Sequence, residues 1–153
     1  MIKKNKILVT GGNGLLGSEI VNILKKKKIK NFHPSSEKLN FTCYRKVDDY
    51  FKKKKPTHVI HSANKVYGIG GNFKKKFETI NENMIINSNL LKACKKHKIK
   101  KIICIGSAAI YSEKYKNNIK EKNALKQKPH ISEFYYGISK RVMLHQLRAL
   151  SEQ

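Results

Sequence analysis

The stretch from Lys6 to Thr10 is short and apolar and runs straight into Gly11-Gly-Asn-Gly-Leu-Leu-Gly17, which predicts a strand ending in a glycine turn. Behind the turn Leu15, Leu16, Ile20, Ile23 and Leu24 recur at helical spacing, and the lysine run Lys25 to Lys28 marks the end of that helix. A second strand is expected over Ile29 to His33, stopped by Pro34. A short amphipathic helix follows with Val47, Tyr50 and Phe51, and Pro56 closes it. Thr57 to His61 reads as a third strand, and the glycines at 68, 70 and 71 read as loop. A long helix is predicted from about Phe77 to His97 with Ile80, Met84, Leu91 and Cys94 on one side, then a fourth strand over Lys101 to Gly106. The polar segment Ser107 to Phe134 has the length of a functional loop. The final helix runs from Tyr135 to about Ser151, packing through Ile138, Val142, Leu147 and Leu150.

Alternation of strands and helices predicts an α/β fold with right-handed crossovers. The expected architecture is a Rossmann-like doubly wound parallel sheet of four strands, in the order 3-2-1-4, with residues 1–153 forming the amino-terminal part of a dinucleotide-binding domain. Six strands make the full version of that fold. Four make an incomplete one, with the remaining strands and a substrate domain expected beyond Gln153 and the outer edge of strand four unpaired.

Composition changes this picture little. The chain has 34 Lys plus Arg against 10 Asp plus Glu, a net charge of +24. Only Arg45, Arg141 and Arg148 are arginine, whereas nucleic-acid readers favour the guanidinium fork. The lysines sit in runs at element ends and read as a solvated surface, with no specific nucleic-acid partner. No apolar run approaches the length of a membrane span, and the apolar part of the amino terminus is too short for a secretory leader, so a cytoplasmic protein is expected. Cys43, Cys94 and Cys104 are odd in number and read as reduced, packed thiols.

The glycine turn carries the first candidate chemistry. Gly12-x-Gly14-x-x-Gly17, between a strand and a helix, lets backbone N–H groups and the positive helix end approach a pyrophosphate. About 20 residues on, an NAD site usually presents an acidic residue to the ribose. Here Glu37 is the only one, and Ser35, Ser36 and Lys38 suit a 2′-phosphate, which favours NADP while leaving NAD possible.

The second candidate is Tyr136-Gly-Ile-Ser-Lys140, which places a phenol and an ammonium on one helix face, about 6 Å apart in rise. A neighbouring cation is expected to lower the tyrosine pKa toward neutrality for proton exchange with a hydroxyl or carbonyl. Tyr50 and Lys54 share the spacing. Position decides for Tyr136, because Ser107 leaves the carboxyl end of strand four, where open parallel sheets bind ligands. Tyr50 reads as a partly buried helix residue.

Together, Thr10-Gly-Gly-x-Gly-x-x-Gly17, Val59-Ile-His-Ser-Ala63, Asn83 with Asn89-Leu-Leu, Gly106-Ser107 and Tyr136-x-x-x-Lys140 resemble the extended short-chain dehydrogenase/reductase family, which includes the NAD-dependent epimerases and dehydratases of nucleotide-sugar metabolism. The resemblance spans nearly the whole chain. Lys65-Val-Tyr-Gly-Ile69 with Asn72, Gly106 to Tyr111 and Glu133 to Lys140 point to a branch acting on GDP-linked sugars. It implies an NAD(P)-dependent nucleotide-sugar epimerase, reductase or dehydratase. Its reaction would be hydride transfer at the sugar C4, with Tyr136 as acid/base, Lys140 holding the tyrosine and the nicotinamide ribose, and Ser107 on the reacting oxygen. The implied cofactor contacts are Gly11, Gly12, Asn13, Gly14, Leu15, Gly17, Ser36, Ala63 and Lys140. The resemblance implies a cysteine and a histidine for epimerisation; the cysteine's place is taken in this chain by Ala109, the histidine is expected beyond Gln153, and the branch's 2′-phosphate arginines appear here as Asn13 and Ser36.

Two other readings stand beside this one: a non-catalytic NAD(P)-binding module or truncated remnant, and a basic protein that binds polyanions. His58 and His61 flank strand three on opposite faces and cannot chelate one metal, while His33, His97, His130 and His145 are scattered and read as ordinary polar residues. No metal site is expected. The last helix is a candidate homodimer surface.

Overall fold

The computed structural model describes residues 5–115 and 118–153; the amino-terminal start at Met1 to Lys4, read above as no leader, lies outside the described residues. The chain divides into two compact units, one of residues up to Asn64 together with Asn89–Ile105, the other of Lys65–Ser88 and Gly106–Gln153.

The first unit holds the whole sheet. β1 (Ile7–Thr10), β2 (Asn31–Phe32), β3 (His58–His61) and β4 (Lys101–Cys104) are all parallel, in the order β2-β1-β3-β4. The expected order 3-2-1-4 is therefore corrected: β3 lies on the far side of β1 from β2. The reason is strand length. β2 offers only two registered pairs to β1, and Pro34 cuts it short, so it suits an edge. β3 pairs over four residues on each side, against β1 and against β4.

Side chains alternate across the sheet. Val9 packs with Val21 and Leu24 of α1 (Leu15–Lys26), joined by Ile7, Ile20, Ile29 and Ile60. The alternate set, Leu8, Thr10, Val59 and His61, faces the side to which right-handed crossovers carry α2 (Tyr44–Lys54) and the second half of the long helix. There Val47, Phe51, Leu90 and Ala93 are fully buried. In α1 the buried positions are Gly17, Val21 and Leu24, whereas Leu15, Leu16 and Ile23, which share the helical spacing, are exposed.

The second unit contains α3 (Gly68–Lys74), which the glycine-rich sequence does not announce. It also contains the first part of α4 (Lys76–Lys96), three 3-10 turns and α5 (Phe134–Ser151). In that part of α4 the buried positions are Thr79, Asn83 and Asn87, a polar stripe at i, i+4, i+8 in place of the predicted Ile80 and Met84. α5 buries Gly137, Ser139, Lys140 and Met143. No helix among the described residues is long and apolar enough to cross a membrane.

Candidate functional site

In the first unit, β1 ends at Thr10 and the chain turns through Gly11, whose φ of +68° favours glycine. A Cβ there would lie 2.7 Å from the Ala63 nitrogen and 2.8 Å from its Cα, and a Cβ on Gly17 would run into the Gly11 carbonyl. Gly14 caps α1 and donates its N–H to the Gly11 oxygen at 2.9 Å. The turn is thus closed on itself and held against the end of β3. α1 has no acidic residue in its first turn and no side-chain cap, which leaves its positive end to an anion.

The structure brings Gly11, Gly12, Gly14 and Gly17 together with Ala63. Asn13, Gly14 and Leu15 are exposed around the turn, and Ser36 stands exposed after β2. The residue after β2 that backs the turn is His33: a Cβ on Gly12 would come within 2.5 Å of His33 Cβ. Sequence reasoning passed over His33 in this role, although its place directly after β2 was the available signal.

In the second unit, Ser107 caps the 3-10 turn Ala108–Ile110, and its Oγ accepts from the Ala109 N–H at 3.1 Å. A side-chain hydrogen bond joins Ser107 to Tyr136. The ammonium of Lys140, itself 2% exposed, lies 5.7 Å from the centroid of the Tyr136 ring. The three sequence-predicted residues are therefore one cluster.

The electrostatics differ from expectation, because the Tyr136 pKa is raised rather than lowered. Burial of the half-buried phenol is the main cause and the Glu133 carboxylate adds to it, while the Ser107 hydrogen bond works the other way. Burial is a tertiary property that residue spacing does not carry.

Two supports of this cluster were also missed. A Cβ on Gly137 would strike the Ala109 carbonyl and lie 3.0 Å from Pro129 Cβ, so only glycine lets α5 approach the Ser107 turn this closely. Arg141, one turn beyond, donates to the carbonyls of Ile110, Lys126 and Gln127 and clasps the polar segment to the helix. Elsewhere in the unit, Asn83 accepts from the Lys65 N–H and donates to the Lys65 carbonyl, both at 2.8 Å.

At the opposite end of the sheet from the glycine turn, Asp48 of α2 accepts from Lys96 and His97 at 2.8 Å and pairs with Lys52 at 3.0 Å. Lys96, His97 and Lys52, in that order, hold its carboxyl well below the usual carboxylate range. His97, expected to be an ordinary polar residue, is an ion-cluster partner instead. A cavity of about 410 Å³ lined by Phe51, Lys52, Lys55, Pro56 and His97 belongs to this cluster, not to the glycine turn. Among the described residues no group of three or more His, Cys, Asp or Glu could hold a metal ion. Cys94 is buried, and desolvation, with Cys104 adding to it, pushes its thiol up to about 12.

A parallel sheet with a strand–glycine turn–helix unit, carrying a Ser-Tyr-Lys cluster on a later turn and helix, has the architecture of the Rossmann-like α/β class. Residues 7–153 match the family model described as the NAD dependent epimerase/dehydratase family, and the chain belongs to that family. It is 36% identical over 154 residues to a GDP-L-fucose synthase of Dictyostelium discoideum, covering 98% of this chain and 48% of that protein. It is 36% identical over 106 residues to a GDP-L-colitose synthase of Yersinia pseudotuberculosis, covering 69% of this chain and 34% of that protein.

Among solved structures, DdhaC superposes with a TM-score of 0.94 at 30% identity, covering all of this chain and 44% of that one. A GDP-L-fucose synthetase from Naegleria fowleri bound to NADP gives 0.89 at 30% identity, covering 99% and 46%. The chain thus spans about half the length of the relatives it matches. The segments at 65–72, 106–111 and 133–140 point to a branch acting on GDP-linked sugars, and both curated relatives are named for such sugars.

Proposed function

We propose that residues 1–153 form the amino-terminal part of a cofactor-binding domain in an NADP-dependent enzyme that reduces or epimerises a GDP-linked sugar. The observation that carries the reading is the Ser107–Tyr136–Lys140 cluster, since a serine hydrogen-bonded to a tyrosine with a buried lysine beside the ring has no evident need in a simple packing role. The glycine turn, whose cradle a Cβ would fill at Gly11 and Gly17, fits a pyrophosphate held by backbone N–H groups. The NADP-bound Naegleria relative supports NADP, and Ser36 and Lys38, with only Glu37 acidic beside them, accord with a 2′-phosphate.

The backbone N–H groups of the Gly11 to Gly17 turn would hold a nicotinamide dinucleotide, which would supply or accept the hydride at the sugar C4. The Tyr136 hydroxyl moves the accompanying proton to or from the sugar oxygen. Ser107 donates a hydrogen bond to the same oxygen and fixes the direction of approach. Lys140 places its positive charge where it favours the phenolate as the proton departs. Burial that raises Tyr136 keeps the phenol protonated beforehand, which suits a proton donor. Ala109, buried against the Ser107 turn, brings no thiol for epimerisation, so reduction is the step this chain's own residues support.

The test is a chimera of this chain with the remaining half of the Dictyostelium relative, followed by NADPH oxidation with a GDP-linked 4-keto sugar. Tyr136→Phe should lower turnover about 100-fold. Undiminished turnover overturns the role given to Tyr136. A module that only binds the cofactor predicts NADPH binding with no turnover in the chimera.

A further inference from the structure

His61 is fully buried at the end of β3, and the proton transfer above makes no use of it. Its Nδ1 lies 2.6 Å from Thr10 Oγ1 across the β1–β3 pair, at the last registered position before the glycine turn. Thr10 is buried as completely, and its Oγ1 also accepts the Ala63 N–H at 3.2 Å. Ala63 is the residue against which Gly11 is packed so closely that a Cβ would not fit. The Thr10 carbonyl in turn accepts from Ser62 Oγ at 2.7 Å.

From this chain of contacts we infer that His61 is a positioning residue for the dinucleotide turn: its Nδ1 accepts a hydrogen bond from the Thr10 O–H, so that Thr10 Oγ1 faces the Ala63 N–H and fixes the wall behind Gly11. The relay runs Ala63 N–H to Thr10 Oγ, and Thr10 O–H to His61 Nδ1. Removing the imidazole acceptor leaves the buried Thr10 O–H without that partner, free to rotate and to turn its oxygen lone pairs away from the Ala63 N–H. The backbone amides that hold the pyrophosphate are set by that wall, so disorder there weakens the cofactor and not only the fold. The inference rests on the proposed cofactor reading.

The test is the dissociation constant of NADPH for the 153-residue chain, read by nucleotide fluorescence well below the melting temperature of every variant. His61→Phe keeps ring volume and removes the acceptor, and should weaken NADPH about fivefold. His61→Asn returns an acceptor near the Nδ1 position and should restore affinity to within about twofold. Thr10→Val should resemble His61→Phe, and the double variant should be no worse than either alone, because both cut the same relay. A purely structural role would lower melting temperatures without that rescue and without that non-additivity. Parent affinity in both single variants, or additive losses in the double, overturns the inference. If His61→Phe does not fold, Thr10→Val and His61→Asn carry the test. Failure of the parent chain to bind NADPH overturns the cofactor reading itself and this inference with it.

Discussion

Gly137 of α5 lies against the carbonyl of Ala109 with no room for a methyl group between them. The contact sets Tyr136, the preceding residue, beside Ser107, and it makes a small residue within the Tyr-x-x-x-Lys segment part of what holds that cluster together.

Gly137→Ala should destabilise the chain by about 1–2 kcal/mol, because overpacking outweighs the gain in helix propensity. Gly70→Ala in α3 is the control: nothing lies within 4 Å of its added Cβ, so a gain of about 0.5–1 kcal/mol is expected. Urea denaturation of the two variants checks the contrast, and Gly137→Ala should also lose the Ser107–Tyr136 hydrogen bond.

Tyr136 should ionise above the ordinary tyrosine value of 10.0, since burial and Glu133 outweigh the Ser107 hydrogen bond. Alkaline titration followed by phenolate absorbance, compared with Tyr136→Phe, isolates its contribution. Glu133→Gln should move the transition downward, and a midpoint below 10 in the parent would contradict the stated balance.

Asp48 should give stability a carboxylate signature. Its folded pKa is depressed below the ordinary 3.8, so its contribution is present above that pH and is lost as pH falls through the folded value. Asp48→Asn should lower the melting temperature at pH 7 and flatten its fall between about pH 4 and pH 2. Thermal unfolding across that range gives the comparison.

Three lysines occupy left-handed backbone: Lys28, Lys55 and Lys98, with φ of 53°, 50° and 51°, each where a helix hands over to the next strand. Glycine is preferred at such positions. Replacing all three by glycine should raise stability by about 1–2 kcal/mol, the relief of backbone strain exceeding the lost attraction of each lysine for a helix end. Denaturant midpoints of the single and triple variants test both the size and the additivity.

The order of elements and the glycine turn were legible because each rests on local pattern: apolar runs of strand length, a helix period after Gly17, lysines at helix ends. Strand order was not, because β2 shrinks to Asn31–Phe32 and no local signal reports which neighbour a strand takes. α3 was hidden by Gly68, Gly70 and Gly71, whose low helix propensity is overridden by tertiary context. The buried face of α4 was hidden because Thr79, Asn83 and Asn87 pack inward while remaining polar. Ser107, Tyr136 and Lys140 were recognisable from order and spacing. The burial of Tyr136, the role of Gly137 and the Thr10–His61 contact depend on distant segments meeting.

The contact of Gly12 with His33 bears on how such a site can change. Residues 33–38 follow β2 and Gly12 belongs to the glycine turn; under the proposed cofactor reading the first would select a dinucleotide's ribose tail and the second would receive its phosphates. With no free space between them, the two are mechanically one piece. A laboratory selection for altered nucleotide preference that begins at residues 33–38 should therefore accumulate compensating changes around Gly12 and Val21, so that preference and affinity evolve as a linked trait.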